Sequence, residues 1–356
     1  MGSFFRKPFG YTAVFATALA TFFVYSLLLV FVIPRRADGA ADGSIPDQFE
    51  GIVDADWGNN TPNEADTVRG DPPDEPTNPD GIYDHLFTTS PDETYPIITD
   101  TLYMDEMMRI EISQIRRFGS DVYVADVRIK DPSLLKTALA KNQYGMNIKE
   151  KPSVMAKRVG AILAINGDFY GTNESGYVIR NGIIYRDTIR PSNESASDLS
   201  YFDDLAILRD GSFVTFDEKN YSAREVWDKG AMHVLTFGPT LVRNGEVAVD
   251  KNTEVGLAWS GTTNPRCAIG TVEKGHYLFV VVDGRCTQSP GTSLWELANV
   301  FVELGAETAY NLDGGGSATM IFNGKLINTP YTNWDKPSGE RSVSDIVYIG
   351  YEYPLG

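Results

Sequence analysis

The stretch 276–317, "HYLFVVVDGRCTQSPGTSLWELANVFVELGAETAYNLDGGGS", decides the fold. It contains two apolar runs, "YLFVVVD" and "TAYNLD", separated by a segment whose apolar residues recur at helical intervals. Ser293 and Glu296 have the spacing of a capping box, and Gly305 is typical of the residue that ends a helix. The stretch therefore predicts a strand, a helix and a second strand, arranged as a crossover between two parallel strands.

The rest of the C-terminal part also consists of apolar runs separated by turns. Other strand-like runs include "DVYVADVRI", "AILAIN" and "SDIVYIGY", and glycine turns such as Asn181-Gly182 separate apolar runs. A second helix is predicted after Asp131-Pro132, over "SLLKTALAK". These elements predict an α+β fold of mixed β-sheets with covering helices, in which the crossover carries the active-site edge. We expect residues 96–356 to form one large domain.

The N-terminal part contains an uncharged, mostly apolar run of 25 residues, from Phe9 to Ile33. As a helix it would be about 37 Å long, which is enough to span a bilayer. We expect residues 9–33 to be an uncleaved signal-anchor helix, residues 1–8 to be cytoplasmic, and the large polar part to lie outside the cell membrane. A cleaved signal peptide stays open as an alternative, because small residues follow at 39–41.

The segment between the apolar run and the domain is acidic. Sixteen acidic residues and one basic residue lie between Asp38 and Asp100, so this segment carries most of the net charge of −17. Residues 34–95 are rich in Pro and Asp and poor in apolar residues, which predicts a disordered spacer. The acidity therefore says nothing about the partner of the folded part. Because no basic stripe or RNA-binding motif is present, we expect no nucleic-acid partner.

The chain has few residues that bind transition metals. Two cysteines, Cys267 and Cys286, and three histidines, His85, His233 and His276, are too few for a cysteine-rich or histidine-rich zinc site. A metal would need oxygen ligands, and we expect no cofactor. A Ser-His-Asp hydrolase would need His233 or His276 as its base. His276 begins the strand whose other end carries the candidate site, and no G-x-S-x-G motif is present, so only His233 stays open.

Carboxylates and amides follow three of the apolar runs. Asp283 and Asp313 each end a run, and a third run ends in Asn166–Asp168, which repeats the Asn-x-Asp pattern of Asn311–Asp313. Residues two apart in a strand share a face, so each pair directs an amide and a carboxylate the same way. If the strands are neighbours, these groups converge at a sheet edge that binds ligands. The alternative is that Asn-Gly-Asp is only a turn.

The glycine run at 314–316 follows Asp313 and precedes Ser317. A P-loop would have a lysine before the serine, and none is present. The run also precedes a strand-like segment, whereas a dinucleotide-binding loop opens a helix. The remaining reading is a backbone nest for an anion beside Asp313. Arg266, Arg285 and Arg341 each adjoin a strand-like run and could pair with phosphate.

Seven stretches together are similar to a known family. They are "AINGDFYG", "RNGIIYRD", "FGPTLV", "NPRCAIG", "VVDGR", "NLDGGGSATM" and "GERSVSDIVYIG". In this order they resemble the phosphodiester glycosidases, over about residues 96–356. The resemblance implies hydrolysis of a sugar phosphodiester at the anomeric C–O bond, which releases free sugar and a phosphomonoester. Expected substrates are N-acetylglucosamine-like sugars linked through phosphate to a cell-wall glycopolymer or an exopolysaccharide.

The resemblance also implies roles for the candidate residues. Acid, base or nucleophile roles fall to Asp313 and Asp168, and Asp283 would orient them or bind sugar hydroxyls. Substrate would be held by Asn166, Asn311, Arg266, Arg285, Gly315, Gly316, Ser317 and Arg341. The family more often has Thr or Ser where Cys267 and Cys286 stand. Both follow a candidate arginine, and whether they form a disulfide in an oxidising compartment stays open.

Two alternatives stay open at this point. One is a non-catalytic protein that binds or assembles exopolysaccharide and keeps the fold. The other is a phosphodiesterase that cleaves the P–O bond with a divalent cation on Asp168, Asp283 and Asp313. The intact carboxylates and arginines favour the glycosidase over the binding protein.

Overall fold

The computed structural model describes residues 35–36, 81–190, 203–251 and 263–352. The predicted anchor at 9–33 lies outside these residues, as does the predicted spacer up to residue 80 apart from Arg35–Arg36. Within the described residues, no helix has the length and apolar character needed to cross a membrane. Tyr83, Leu86 and Phe87 are buried with Met104, so the folded part reaches back into the segment predicted as spacer.

The described residues form mostly β-strands. In chain order the strands are β1 Arg35–Arg36, β2 Ile97–Ile98, β3 Leu102–Met104, β4 Met108–Arg117, β5 Ser120–Ile129, β6 Leu135–Leu139, β7 Gly145–Met146, β8 Leu163–Asn166, β9 Val178–Arg180, β10 Ile183–Arg186, β11 Asp203–Leu208, β12 Phe213–Asp217, β13 Ala231–Leu235, β14 Thr240–Arg243, β15 Glu246–Val247, β16 Arg266–Glu273, β17 His276–Val282, β18 Thr308–Leu312, β19 Met320–Phe322, β20 Lys325–Leu326, β21 Tyr331–Asn333, β22 Lys336–Pro337 and β23 Asp345–Ile349. The α-helices are α1 Pro152–Arg158, α2 Ala223–Asp228 and α3 Leu294–Glu303. Short 3₁₀ turns include Pro132–Leu134, Tyr170–Thr172 and Gly315–Ser317.

Three sheets carry the fold. Sheet I has nine strands in the order β15-β14-β18-β16-β17-β5-β4-β3-β2. Sheet II has the order β20-β19-β8-β23-β6, and sheet III has the order β10-β9-β13-β11-β12. Two hairpin-sized pairs, β1-β7 and β21-β22, complete the described strands. The α+β class is confirmed in its coarse form, as sheets with a few helices.

The helix of the opening stretch forms as predicted. Ser293 caps α3, and both halves of the capping box with Glu296 are present. The pairing of the flanking strands differs from the prediction, because β16 lies between β17 and β18 and pairs antiparallel with each. The tight turn at 274–275 folds β16 onto β17 as a hairpin, and this places β16 in the middle. The two strands still run in the same direction, but they are not a parallel pair.

The second predicted helix is wrong after its first turn. Asp131 caps a 3₁₀ turn, its carboxylate accepting from the N–H of Ser133, as the Asp-Pro pattern predicts. The chain then becomes β6, a strand in which all five residues are buried, and it pairs with β23. Burial on both faces and the ladder to β23 outweigh the helix propensity of this Leu- and Ala-rich segment.

The hydrophobic core lies between the sheets. One cluster joins Ile165 of sheet II, Leu235 of sheet III and Ile269 of sheet I, so all three sheets share a core. A second cluster lies between α3 and the other face of sheet I, where Phe301 packs over Gly270. A Cβ atom at Gly270 would lie 2.9 Å from the Phe301 ring, so the helix approaches the sheet closely because residue 270 has no side chain.

We predict that Phe301→Ala lowers the free energy of unfolding by about 3–5 kcal/mol, because it removes a fully buried ring and leaves a cavity over Gly270. Urea-induced unfolding of the purified chain measures the change. The matched control is Val302→Ala on the adjacent, partly buried position of α3, which should cost less. Equal losses for both variants would contradict the packing described here.

Candidate active site

One edge of sheet I carries three of the predicted site residues. Arg266 is opposite Val282 in the β16–β17 ladder, and Cys267 is opposite Leu312 in the β16–β18 ladder. The start of β16 and the ends of β17 and β18 therefore meet at this edge. Arg266, Asp283 and Asp313 are consequently brought to the same side of the sheet, as the strand ends predict.

The third predicted strand end arrives from another sheet. β8 belongs to sheet II, and its end contacts the end of β18 through side-chain and backbone hydrogen bonds. The Asn166 amide donates to the carbonyl of Asp313 (2.6 Å), and the N–H of Asp313 donates to the carbonyl of Gly167 (3.3 Å). The two Asn-x-Asp segments therefore meet, although their strands are not neighbours in one sheet.

Both predicted amides hold loops in place. The Asn166 oxygen accepts from the N–H of Thr319 (3.1 Å), so each end of this amide binds protein. Asn311 donates to the carbonyl of Gly238 (2.8 Å), while its Oδ1 is buried without a partner among the described residues. Both side chains are almost fully buried. The predicted binding of sugar hydroxyls by these amides stays a prediction.

Asp168 lies in a buried ionic network. Arg180 donates to Asp168 and to Asp345, with an N–O distance of 2.8 Å in each case. Asp168 also accepts from the N–H groups of Thr236 (3.0 Å) and Tyr170 (3.0 Å). Its carboxylate is thus saturated by protein donors and only 2% exposed. This environment suits an ionised Asp168 carboxylate that fixes the positions of the groups donating to it.

Asp313 is partly buried and has a different environment. Burial raises its pKa to about 6, and the charge of Asp168 adds to this effect. A hydrogen bond from the Ser317 hydroxyl and the charge of Arg341 act in the opposite direction. A carboxyl group that titrates close to neutral pH can take up or release a proton during a reaction.

Asp283 lies at the predicted edge but binds a separate loop. Its carboxylate accepts from the Asn328 amide (3.0 Å) and from the N–H of Thr329 (3.1 Å). The Tyr123 hydroxyl is a further partner, and burial raises the pKa of Asp283 to about 6. None of these partners forms a hydrogen bond with Asp313 among the described residues. A catalytic role for Asp283 stays a prediction.

Positive charge gathers around Asp313. Arg341 and Lys149 each interact favourably with its carboxylate, and so does Arg285. Arg266 lies next to Arg285 at the same edge, and the mutual repulsion contributes to lowering its pKa, which burial brings to about 10. None of these four cations forms an ion pair with a carboxylate of the described residues. A group of positive charges without paired carboxylates is suited to binding an anion.

The glycine turn allows the arginines to come close. Gly315 has φ 59°, and a Cβ atom there would lie 3.0 Å from Nη2 of Arg285. A Cβ atom at Gly316 would lie 2.8 Å from Nη2 of Arg341. Two N–H groups of the turn, those of Gly315 and Ser317, already donate to protein carbonyls. The predicted nest is therefore narrower than four N–H groups, and Arg285 already donates to the Asn264 side-chain oxygen and the Thr332 carbonyl.

Three further predictions can be compared with the structure. Cys267 and Cys286 are both free and buried, and their thiols lie against the carbonyls of Asn166 and Ser289, so the disulfide that the sequence left open is not formed. Burial lowers the pKa of His233 to about 3, so this residue is neutral and unsuited as a base near neutral pH. Within the described ranges, no group of three or more His, Cys, Asp or Glu side chains is placed to hold a metal ion.

Comparisons with known proteins identify the family of the chain. The profile of the phosphodiester glycosidase family matches residues 159–350, a range that includes every predicted site residue. The chain belongs to the phosphodiester glycosidase family. It is 31% identical to human N-acetylglucosamine-1-phosphodiester alpha-N-acetylglucosaminidase over 211 residues, which cover 54% of this chain and 38% of the human protein.

Two other proteins are similar to this chain. A prophage-derived uncharacterized protein of Bacillus subtilis, YomE, is 26% identical over 72% of this chain and 40% of its own length. The catalytic domain of the zebrafish N-acetylglucosamine-1-phosphodiester alpha-N-acetylglucosaminidase shares the fold with a TM-score of 0.50 and 23% identity, over 68% of this chain and 82% of that domain. The chain spans about two fifths of the length of the curated relatives it matches.

Sequence reasoning missed several residues of the candidate site. Arg180 and Asp345 lie within the quoted stretches "RNGIIYRD" and "GERSVSDIVYIG", yet nothing in their spacing indicates that they meet Asp168. Lys149 lies in a polar segment without a motif. These three positions come from separate parts of the chain, so only the fold brings them together.

We predict that Arg180→Met destabilises the folded chain by about 3–5 kcal/mol, because two buried carboxylates lose their cation. Thermal or urea unfolding measures the change. The matched control is Arg224→Met, which breaks the exposed Arg224–Asp228 pair and should cost no more than about 0.5 kcal/mol. A small effect of Arg180→Met would contradict the buried network.

We predict that Asp313→Asn stabilises the protein at pH 7. The pKa of Asp313 is about 6 in the folded state against 3.8 for the ordinary group, so the folded protein binds more protons between about pH 4 and pH 6. Wild-type stability therefore falls as the pH rises through this window, on the order of 1–3 kcal/mol in all. Urea unfolding at pH 4 and pH 7 measures the free energy of unfolding of both proteins. Asp313→Asn should be more stable than the wild type at pH 7 and equally stable at pH 4.

Proposed function

We propose that the protein is an extracytoplasmic glycosidase that hydrolyses the glycosidic bond of a sugar 1-phosphodiester. The observation that carries the proposal is a titratable carboxyl group that lies near several cations. Asp313 has a pKa raised to about 6, and Arg285, Arg341 and Lys149 surround it without forming ion pairs with described carboxylates. Phosphate would be held by these cations while Asp313 acts on the sugar side.

The chemistry assigned to this arrangement follows from the leaving group. The bond between C1 of the sugar and the phosphate oxygen breaks, and the phosphate leaves with the electron pair as a monoester. Because the arginines balance its charge, the leaving group needs little help from a strong acid. Ionised Asp313 can then accept a proton from the water that attacks C1, and the water oxygen forms the new bond to C1.

The other carboxylates would act through Asp313. Asp168 is saturated by Arg180, Tyr170 and Thr236, and its negative charge raises the proton affinity of Asp313. Ser317 and Asn166 fix the carboxyl group and the backbone of residue 313. We therefore assign the proton transfer to Asp313, and a positioning role to Asp168.

The substrate and the location belong to the same proposal. The human relative is named for N-acetylglucosamine 1-phosphodiesters, which supports a sugar of this kind. The predicted anchor at residues 9–33 and the acidic segment that follows support a position outside the cell membrane. We therefore propose phosphodiester-linked sugars of a cell-wall polymer or an exopolysaccharide as substrates.

Product analysis tests the proposal. The purified chain is incubated with an N-acetylglucosamine 1-phosphodiester, and we expect free sugar and a phosphomonoester. Asp313→Asn should lower kcat at least about 100-fold, because it removes the proton-transferring group. The exposed control Asp228→Asn should keep full activity.

Other outcomes of the same experiment would support the two alternative functions. Release of sugar phosphate, lost on treatment with EDTA, would support a metal-dependent phosphodiesterase. Binding of diesters without turnover, across a panel of sugars, would support a binding or assembly protein. Full activity of Asp313→Asn would contradict the assignment of the site while leaving the reaction class intact.

A further inference from the structure

A pair of aromatic rings is attached to loops that contact the charged site. Phe169 is 37% exposed, and its ring meets that of the partly buried Phe237 edge to face, with centroids 6.2 Å apart. Neither ring belongs to the hydrophobic clusters of the described residues. Core packing therefore does not account for them, and an aromatic pair with an exposed member is a candidate binding surface.

Both rings are attached to backbone that contacts the site. Phe169 lies two residues after Gly167, and the carbonyl of Gly167 accepts from the N–H of Asp313 (3.3 Å). Phe237 lies between Thr236, which donates to Asp168 (3.0 Å), and Gly238, which accepts from Asn311 (2.8 Å). The pair is thereby fixed next to the loops that hold Asp313.

The arginines and the two phenyl rings belong to different parts of the fold around Asp313. The cations approach from the glycine turn, where Arg285 and Arg341 lie over Gly315 and Gly316. The rings belong to the loop after β8 and the segment after β13. The turn next to Asp313 thus carries the cations, and the loops hydrogen-bonded to residues 311 and 313 carry the apolar rings.

We propose that Phe169 and Phe237 form a platform for the apolar face of the sugar ring. The proposal rests on the proposed function and specifies its sugar side. The C–H groups on one face of a pyranose form an apolar surface of about the size of a phenyl ring, and contact with a rigid aromatic ring costs little conformational entropy. With phosphate on the arginines, this contact places C1 beside Asp313 and makes the pair a determinant of sugar specificity.

Steady-state kinetics with a sugar 1-phosphodiester test the platform in the active protein. We expect Phe169→Ala to raise KM about 5- to 10-fold, and Phe169→Tyr to restore it because the ring face is kept. Inhibition by inorganic phosphate should change less than about 2-fold, since the arginines are untouched. The matched control is Phe118→Ala, which removes another exposed phenyl ring in edge contact with Trp295, 6.5 Å away.

A binding measurement separates this proposal from the proposed function. Saturation-transfer NMR records transfer from aromatic protons to methyl N-acetyl-α-glucosaminide, which needs no turnover. Loss of the transfer in Phe169→Ala and Phe237→Ala, but not in Phe118→Ala, supports the platform even if the wild type hydrolyses no diester. Unchanged transfer and unchanged KM in folded variants overturn the platform, and they do so even if the wild-type enzyme is active.

Discussion

The join between β8 and β18 is the contact on which the candidate site depends. Two hydrogen bonds, from the Asn166 amide to the Asp313 carbonyl and from the Asp313 N–H to the Gly167 carbonyl, connect the ends of strands that belong to different sheets. Because both bonds are backbone-directed and Asn166 is fully buried, the position of residue 313 is fixed by the packing of sheet I on sheet II. The glycine turn and its arginines take their positions from that join.

Charge is distributed unevenly around this join. The buried network contains one cation for two carboxylates, because Arg180 donates to both Asp168 and Asp345. Around Asp313 the balance is reversed, because several cations interact with one partly buried carboxyl group. Burial of Asp313 opposes ionisation, so the native state holds a group in an unfavourable state at neutral pH. Such strain is expected where a protein needs a reactive proton acceptor.

Sequence patterns correctly predicted those elements whose stability depends on interactions between residues close together in the chain. The capping box of Ser293 and Glu296, the cap at Asp131 and the strand ends at Asp283 and Asp313 all follow from interactions within a few residues. The same patterns gave the wrong pairing for β17 and β18, because a hairpin turn of two residues placed β16 between them. They also gave a helix where β6 lies, since the burial that selects a strand there comes from β23 and sheet packing.

The sequence by itself determined which groups are available: carboxylates after apolar runs, arginines beside strands, and a glycine run that allows close approach. It also supported the resemblance that the family match later confirmed. Only the tertiary structure decided the burial and the charge environment of each of these groups. Asp168 became a saturated member of a buried ionic network and Asp313 a titratable group among cations, because burial and charge at each carboxyl depend on residues such as Arg180, Asp345 and Lys149 that are distant along the chain.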